Sequence, residues 1–364
     1  MSQYTGAPQD PVHEFLEWRF HASDLYDSLT MYVLPEHTIS LNFTNDTVLA
    51  EDSYVFGIIL GNSFKNKQSE ISLYNTIFPN RNSLCFNKSK PNQKWGEVTH
   101  SYSFKINGTL NSADTNTKND IVAAYDNKLI YISEKSDFIH QLDDDDDQIT
   151  LIQCSPEDSS TSSFLCKSKN NTILYYESPD KKPLSIHEFT RPIIDLSIDP
   201  FNTNTALCTQ GKTHIHLVDQ RTKEITPLKM QSHIGSIAFS PFIPFIFANG
   251  LLSGDISLFD IRSPSASICN IQAHDSVVTS LRWSPFRKDI IASSSLDTSI
   301  ILWSLTENKD LNSNAVFTHN GHVSPISAFN WCKDVPWTLA SVSEDNLFEI
   351  WTISQSQYED FMFE

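Results

Sequence analysis

The stretch Ala273-His274-Asp275-Ser276-Val277-Val278-Thr279-Ser280-Leu281-Arg282-Trp283-Ser284-Pro285 returns, altered but in register, as Gly321-His322-Val323-Ser324-Pro325-Ile326-Ser327-Ala328-Phe329-Asn330-Trp331. Each copy leads into a small-residue run, Ile291-Ala292-Ser293-Ser294-Ser295-Leu296-Asp297 in one and Leu339-Ala340-Ser341-Val342-Ser343-Glu344-Asp345 in the other, and then into Leu302-Trp303 or Ile350-Trp351. His to Asp is 23 residues in both copies and His to Trp is 29. Three anchors in one shared register mark a structural repeat. Within each unit, short apolar or small-residue runs bounded by turn residues read as four strands.

The residue types explain the spacing. A His, a Ser and an Asp from separate strands and turns can hydrogen-bond in series to the ring nitrogen of a Trp, which satisfies buried polar groups while locking the sheet. His274, Asp297 and Trp303, with Ser293 or Ser295, are therefore expected to be structural, as are His322, Asp345 and Trp351 with Ser341 or Ser343. Ser, His and Asp also compose a hydrolase triad. Against that reading, the set occurs twice, each time with a Trp at fixed spacing, and no Gly-x-Ser-x-Gly elbow carries the Ser. No catalytic, metal-ligating or cofactor-binding residue is assigned, and the expectation is a protein that is not an enzyme.

Weaker copies run upstream. Ser236 to Arg262 forms a unit in which Phe259 replaces the Trp; Ile194 to Asp219, Leu151 to Tyr176 and Asp120 to Ile132 keep only the apolar alternation. With Tyr54 to Leu60, Ile71 to Phe78 and a strand around Trp95 to Ile106, the count reaches seven units of about 40 to 48 residues, the period of a β-propeller. The expected fold class is all-β, a seven-bladed propeller. His37 to Phe43 alternates polar and apolar residues and is expected to pair with the last blade, closing the ring and removing exposed sheet edges.

Composition narrows the function. The chain has 364 residues with 26 Lys plus Arg against 44 Asp plus Glu, a net charge of −18. Phosphate-backbone binders work through a basic stripe, so direct nucleic-acid binding is not expected and basic partners are. The longest apolar stretches, Phe56 to Leu60 and Pro241 to Ala248, fall far short of the ~20 residues a membrane helix needs. The first residues show no charged region followed by an apolar one, so no secretory signal is read. The cysteines at 85, 154, 166, 208, 269 and 332 have no zinc-like spacing and suit free thiols in a reducing compartment. With only 10 Gly, the chain argues against a phosphate-cradling loop.

Ahead of the ring, Phe15, Trp18, Leu25, Leu29 and Tyr32 recur at three-, four- and seven-residue steps, which predicts a helix that starts near Pro11 and continues towards Leu34. The expected organisation is an N-terminal segment, 1–36, whose helix docks on the ring, followed by the propeller, 37–364. The docked helix is expected to bury its stripe on the ring, to leave a groove that takes a partner helix, or to do both.

Glu17-Trp18-Arg19 with Leu25-Tyr26-Asp27, Gly57-Ile58-Ile59-Leu60-Gly61, Leu281-Arg282-Trp283-Ser284-Pro285, and the block from Gly321-His322 through Pro336-Trp337 to Ser341-Val342-Ser343-Glu344-Asp345-Asn346 together resemble the histone-binding WD-repeat proteins, the retinoblastoma-binding and chromatin assembly factor small-subunit type. The resemblance runs from the opening helix to Tyr358-Glu359-Asp360, and it implies a seven-bladed WD40 propeller with an N-terminal helix. It further implies a nuclear scaffold, with a cytoplasmic pool in addition. Such a scaffold is a monomeric propeller inside larger chromatin-assembly, acetyltransferase, deacetylase or remodelling complexes. In that family a basic helix of histone H4 docks beside the N-terminal helix; the wall carries over to Leu25, Tyr26, Leu29 and Val33, and the facing apolar residue to Phe317. The adjoining loop, Thr306 to Asn314, is short and nearly neutral where the family has a longer acidic insertion.

A second family site, on the flat top of the ring, holds Arg and Lys of histone H3 through acidic residues. Asn111 and Glu344 match it, while the remaining acidic positions fall on Thr109, Gln148, Ile194, Gly235 and Val277. An Arg entering there would be desolvated without a partner. The run Asp143-Asp144-Asp145-Asp146-Asp147 is either a solvated loop or a substitute acidic patch for histone tails. The competing functions are an adaptor for another basic protein, of the ribosome-assembly type, and a targeting receptor.

Overall fold

The structure, a computed structural model, describes residues 11–44, 48–49, 53–63, 68–79, 98–116, 118–133, 137–141, 148–155, 163–178, 181–211, 213–228, 233–305 and 315–359. Among the described residues, one α-helix, α1 (Pro11–Leu25), precedes 29 strands, and a single helical turn, α2 (Gln355–Tyr358), follows them. Among the described residues the strands form seven antiparallel sheets, six of four strands and one of five. Each sheet is a blade, and the second to sixth blades keep their strands in chain order from the ring axis outwards. The expected seven-bladed propeller with an N-terminal helix is the fold observed. Among the described residues no helix is long and apolar enough to cross a membrane.

Two expectations near the N-terminus are corrected. The helix stops at Leu25, and Tyr26–Val33 is a strand, β1, paired antiparallel with β29 (Leu347–Ile353) from Tyr26↔Ile353 to Val33↔Leu347. Leu25, Leu29 and Tyr32 fit a helical step, but Thr30, Tyr32 and Val33 favour extended backbone. The outer edge of β29 supplies hydrogen bonds that a helix there would leave unmade. This segment closes the ring in place of His37–Phe43. The latter is β2, the innermost strand of the first blade, running from His37↔Ser63 to Phe43↔Ile58 against β4 (Ser53–Ser63). Leu34–Glu36 thus makes the step found between other blades, from an outermost strand to the next innermost one. The division at residue 36 therefore does not separate helix from ring, because the last blade, β27 (Ile326–Trp331), β28 (Thr338–Ser343) and β29, is completed by β1.

The core is a chain of apolar clusters between neighbouring blades. The largest, between the sixth and seventh blades, gathers Trp18, Tyr26, Phe317, Trp331, Trp337, Trp351 and Tyr358. Tyr358 of α2 stacks on Trp337 at 4.2 Å, and the Ser354 amide donates to the Leu25 carbonyl, so α1 and α2 meet at the same blade.

Innermost strands are also stitched to each other. Asp114 Oδ2 accepts from the Cys154 amide at 2.7 Å, Gln153 Oε1 from Ile198, Asp195 Oδ2 from Ile237 and Ser197 Oγ from Phe239. In the later blades tryptophans take over: Trp283 Nε1 donates to the Ala238 carbonyl and Trp331 Nε1 to the Arg282 carbonyl. Asn330 Nδ2 donates to Asn42 Oδ1 across the seam between last and first blades.

Candidate functional site

The Ser, His and Asp sets lie where the repeat places them, inside the blades. In the sixth blade His274 Nδ1–H donates to Asp297 Oδ2 at 2.8 Å, and Ser293 Oγ lies 2.7 Å from His274 Nε2. Trp303 Nε1 donates to the same Oγ at 2.9 Å, so Ser293 and not Ser295 completes the relay. Burial pushes the Asp297 carboxyl up, but His274 and Ser299 outweigh it and hold the group below the usual carboxylate range.

The seventh blade uses both candidate serines. His322 Nδ1 lies 2.9 Å from Ser343 Oγ, which donates onward to Asp345, while Ser341 Oγ links His322 Nε2 to the Trp351 indole. Both sequences of bonds are saturated and the serines have no exposed surface, so their hydroxyls serve the fold.

The surface that differs from an ordinary blade edge lies where α1 meets the last two blades. Trp18 is buried under the helix, its indole N–H donating to Tyr26 Oη at 2.8 Å. Phe15 packs on Trp18, and Tyr26 stands edge-on to Phe317 at 5.2 Å. The residues assigned to a partner groove are only partly brought together. Leu25 and Leu29 are half-buried against one shared cluster, while Tyr26 and Phe317 lie inside it, 7% and 5% exposed, as its floor. Val33 is 70% exposed but sits at the far end of β1, seven residues and roughly 23 Å from Tyr26.

Sequence reading missed the apolar residues that α1 leaves in water, Leu16 and Phe20, which are 57% and 81% exposed. They are four residues apart and so share one helical face. An i, i+4 apolar pair lying off the main stripe was the available signal. Glu17 and Asp24 are exposed on the same helix. The loop at 306–314 and the run Asp143–Asp147 lie outside the described residues.

On the top of the ring Asn111 donates to the Asp126 carbonyl and Glu344 is exposed in the turn after β28, two blades away. Among the positions expected to be acidic, Gly235 has no room for a side chain, since a Cβ there would press on the Val278 carbonyl. Ile194 is over a third exposed, and the ammonium of Lys167 donates to its carbonyl at 2.9 Å. A cation therefore stands where an incoming Arg or Lys would need a carboxylate.

His319, His322 and Glu349 are fully buried and bring three potential ligand atoms within 4.8 Å of one another. His322 has no lone pair to give a metal, because both ring nitrogens are engaged by Ser341 and Ser343.

Comparison with known proteins agrees with this architecture. The model of the WD domain, G-beta repeat, matches residues 265–304 and 313–352, the two strong repeats. The chain is 30% identical over 139 residues to histone acetyltransferase type B subunit 2 of Debaryomyces hansenii, covering 34% of each chain. It is 28% identical over 184 residues to histone-binding protein MSI1 of Saccharomyces cerevisiae, covering 44% of this chain and 42% of the relative. A type B subunit 2 from Candida glabrata is 28% identical over 150 residues, 38% of this chain and 36% of the relative. The aligned regions thus span less than half the length of these curated relatives.

Proposed function

We propose, for a chain that is a divergent WD-repeat protein of the histone-binding type, that it works as a non-enzymatic nuclear scaffold whose partner is a basic histone helix, of histone H4, held beside α1. The observation that carries this reading is the seating of α1. Trp18 and Tyr26 fix the helix against the last two blades. Leu16 and Phe20 remain exposed on the outer face of α1, Leu25 and Leu29 are half-buried beside it, and Glu17 and Asp24 stand on the same helix.

An amphipathic basic helix fits such a surface. Its apolar anchors cover the exposed side chains, and its cations meet exposed carboxylates on a chain of net charge −18. The top of the ring is assigned no comparable role for histone H3, because Lys167 and the side-chain-free Gly235 replace carboxylates there. Membership of an acetyltransferase, deacetylase, remodelling or chromatin-assembly complex follows from the same reading. The other members would supply catalysis.

The test is the affinity of a histone H4 peptide spanning its first helix for the wild type and for a Leu16→Asp/Phe20→Asp variant. These positions face water, so the variant should fold normally by circular dichroism. Loss of two exposed apolar anchors should weaken binding by at least tenfold, about 1.4 kcal/mol. Equal affinities would refute the assignment to α1. A Leu25→Asp/Leu29→Asp variant, assayed for recovery of histones from nuclear extract, extends the test to the half-buried residues beside the helix.

A further inference from the structure

Glu349 is a buried acid without a cation. It lies on β29 with no exposed surface, and neither carboxylate oxygen has an aligned hydrogen-bond donor among the described residues. Its nearest polar neighbour is His319 Nε2, 2.8 Å away on the outermost strand of the sixth blade, β26 (Ala315–His319). Gly321 lies against the pair, and a Cβ there would collide with both side chains.

From His319 a line of contacts leads out to the helix. Tyr26 Oη lies 2.7 Å from His319 Nδ1, and Trp18 of α1 donates to Tyr26. The Trp18 and Tyr26 rings stand edge-on to His319 at 5.6 and 5.8 Å, while Trp351 stacks flat on it at 4.3 Å. Of the four groups, only Trp18 belongs to an element outside the sheets.

The groups facing Glu349 are His319 from β26, His322 from the turn that follows, Asp345 from the turn before β29, and Tyr26 from β1. None of them supplies a positive charge near neutral pH. Burial pushes His319 down to about 3 and His322 down to about 4, so both rings are neutral. Burial raises Tyr26 well above the ordinary phenol range, so it keeps its proton. Burial likewise pushes the Glu349 carboxyl up to about 7, against a pull from His322 and with a push from Asp345. A carboxylate formed there is desolvated without compensation, and hydration is its remaining relief.

We propose that Glu349 makes the seating of the N-terminal helix depend on pH: the helix is held while the carboxyl is protonated and loosens when it ionises, because water reaches the carboxylate by displacing Trp18 and Tyr26 from His319. The step is the loss of one proton from Glu349 to solvent, with His319 and Tyr26 keeping theirs. Because α1 carries the exposed Leu16 and Phe20, the same proton modulates whatever binds that helix. The coupling itself does not rest on the partner being a histone.

The experiment measures two midpoints in the full chain. One is the ¹³C resonance of labelled Glu side-chain carboxyls against pH. The other is amide hydrogen exchange of residues 11–25 against pH, corrected for the intrinsic exchange rate. One carboxyl should titrate near neutrality, and helix protection should fall with the same midpoint by roughly tenfold or more, the factor that one pKa unit of coupling sets. Glu349→Gln should remove that resonance and leave the helix as protected at about pH 8 as the wild type is at about pH 6. If the variant does not fold, coincidence of the two wild-type midpoints decides. The proposal is overturned if every Glu carboxyl titrates in the ordinary range, if the midpoints differ, or if helix protection in Glu349→Gln keeps the wild-type pH dependence.

Discussion

The sixth and seventh blades and the second to fifth blades reach one architecture by different hydrogen-bonding strategies. In the former, His, Ser, Asp and Trp are joined within a single blade, from the turn on the top of the ring to the third strand. In the latter, no such relay exists among the described residues. Polar side chains of one innermost strand instead accept amides of the next: Asp114 to Cys154, Ser112 to Ile152, Asp195 to Ile237 and Ser197 to Phe239. One strategy makes each blade internally rigid. The other distributes rigidity around the ring, each blade depending on its neighbour.

The difference predicts how the two regions fail, beginning with the largest effect. His274→Ala removes the centre of a relay, leaves Asp297 and Ser293 short of partners and opens a cavity. It should destabilise the protein by roughly 3–4 kcal/mol in chemical denaturation. Asp195→Ala unpairs the Ile237 and Leu196 amides but also relieves a carboxyl that burial raises above its usual range. A loss of roughly 2–3 kcal/mol is expected, with increased hydrogen exchange in the fifth blade as well as the fourth. If that exchange change stayed within one blade, the contrast between local and distributed bonding would break.

The pH dependence is the next effect in size. Glu349 has a folded-state pKa raised to about 7 from 4.5, so its contribution is fully present below the unfolded value and is lost as pH rises through about 7. His319 and His322 are depressed to about 3 and 4 from 6.5, so their contributions hold above the unfolded value and are lost as pH falls from there. Thermal stability should therefore be greatest between these limits. Glu349→Gln should remove the alkaline loss and leave the acid limb unchanged. A variant with the wild-type alkaline limb would show that the buried acid is not its cause. The smallest effect is expected for Ser197→Ala, about 1 kcal/mol for one unpaired Phe239 amide, again read by chemical denaturation.

The same contrast explains what could be read from the chain alone. Bonding within a blade repeats at a fixed interval, so His274, Asp297 and Trp303 and their counterparts His322, Asp345 and Trp351 stood out by spacing. Bonding between blades uses whatever polar residue points at the next strand, Asp in one blade and Gln or Ser in another, and leaves no motif. Tyr26–Val33 was misread because its pairing partner lies more than 300 residues away, at Leu347–Ile353. Only the assembled ring shows that an edge is waiting for it. The line from Trp18 to Glu349 was illegible for the same reason: four residues from four elements meet only after closure. Of the surface beside α1, the sequence offers Leu25 and Leu29 as wall residues of a partner groove, and the structure half-buries both against one shared cluster. It could not tell that Tyr26 and Phe317 are sealed beneath them or that Val33 is remote.

The central claim, that the protein receives a basic helix at the junction of α1 with the last two blades, is tested most directly by hydrogen exchange of the full chain with and without a histone H3–H4 complex. The account predicts new protection concentrated in residues 11–33 and 315–319. Protection confined to the top of the ring, around Asn111, Lys167 and Glu344, or no change anywhere, would contradict it.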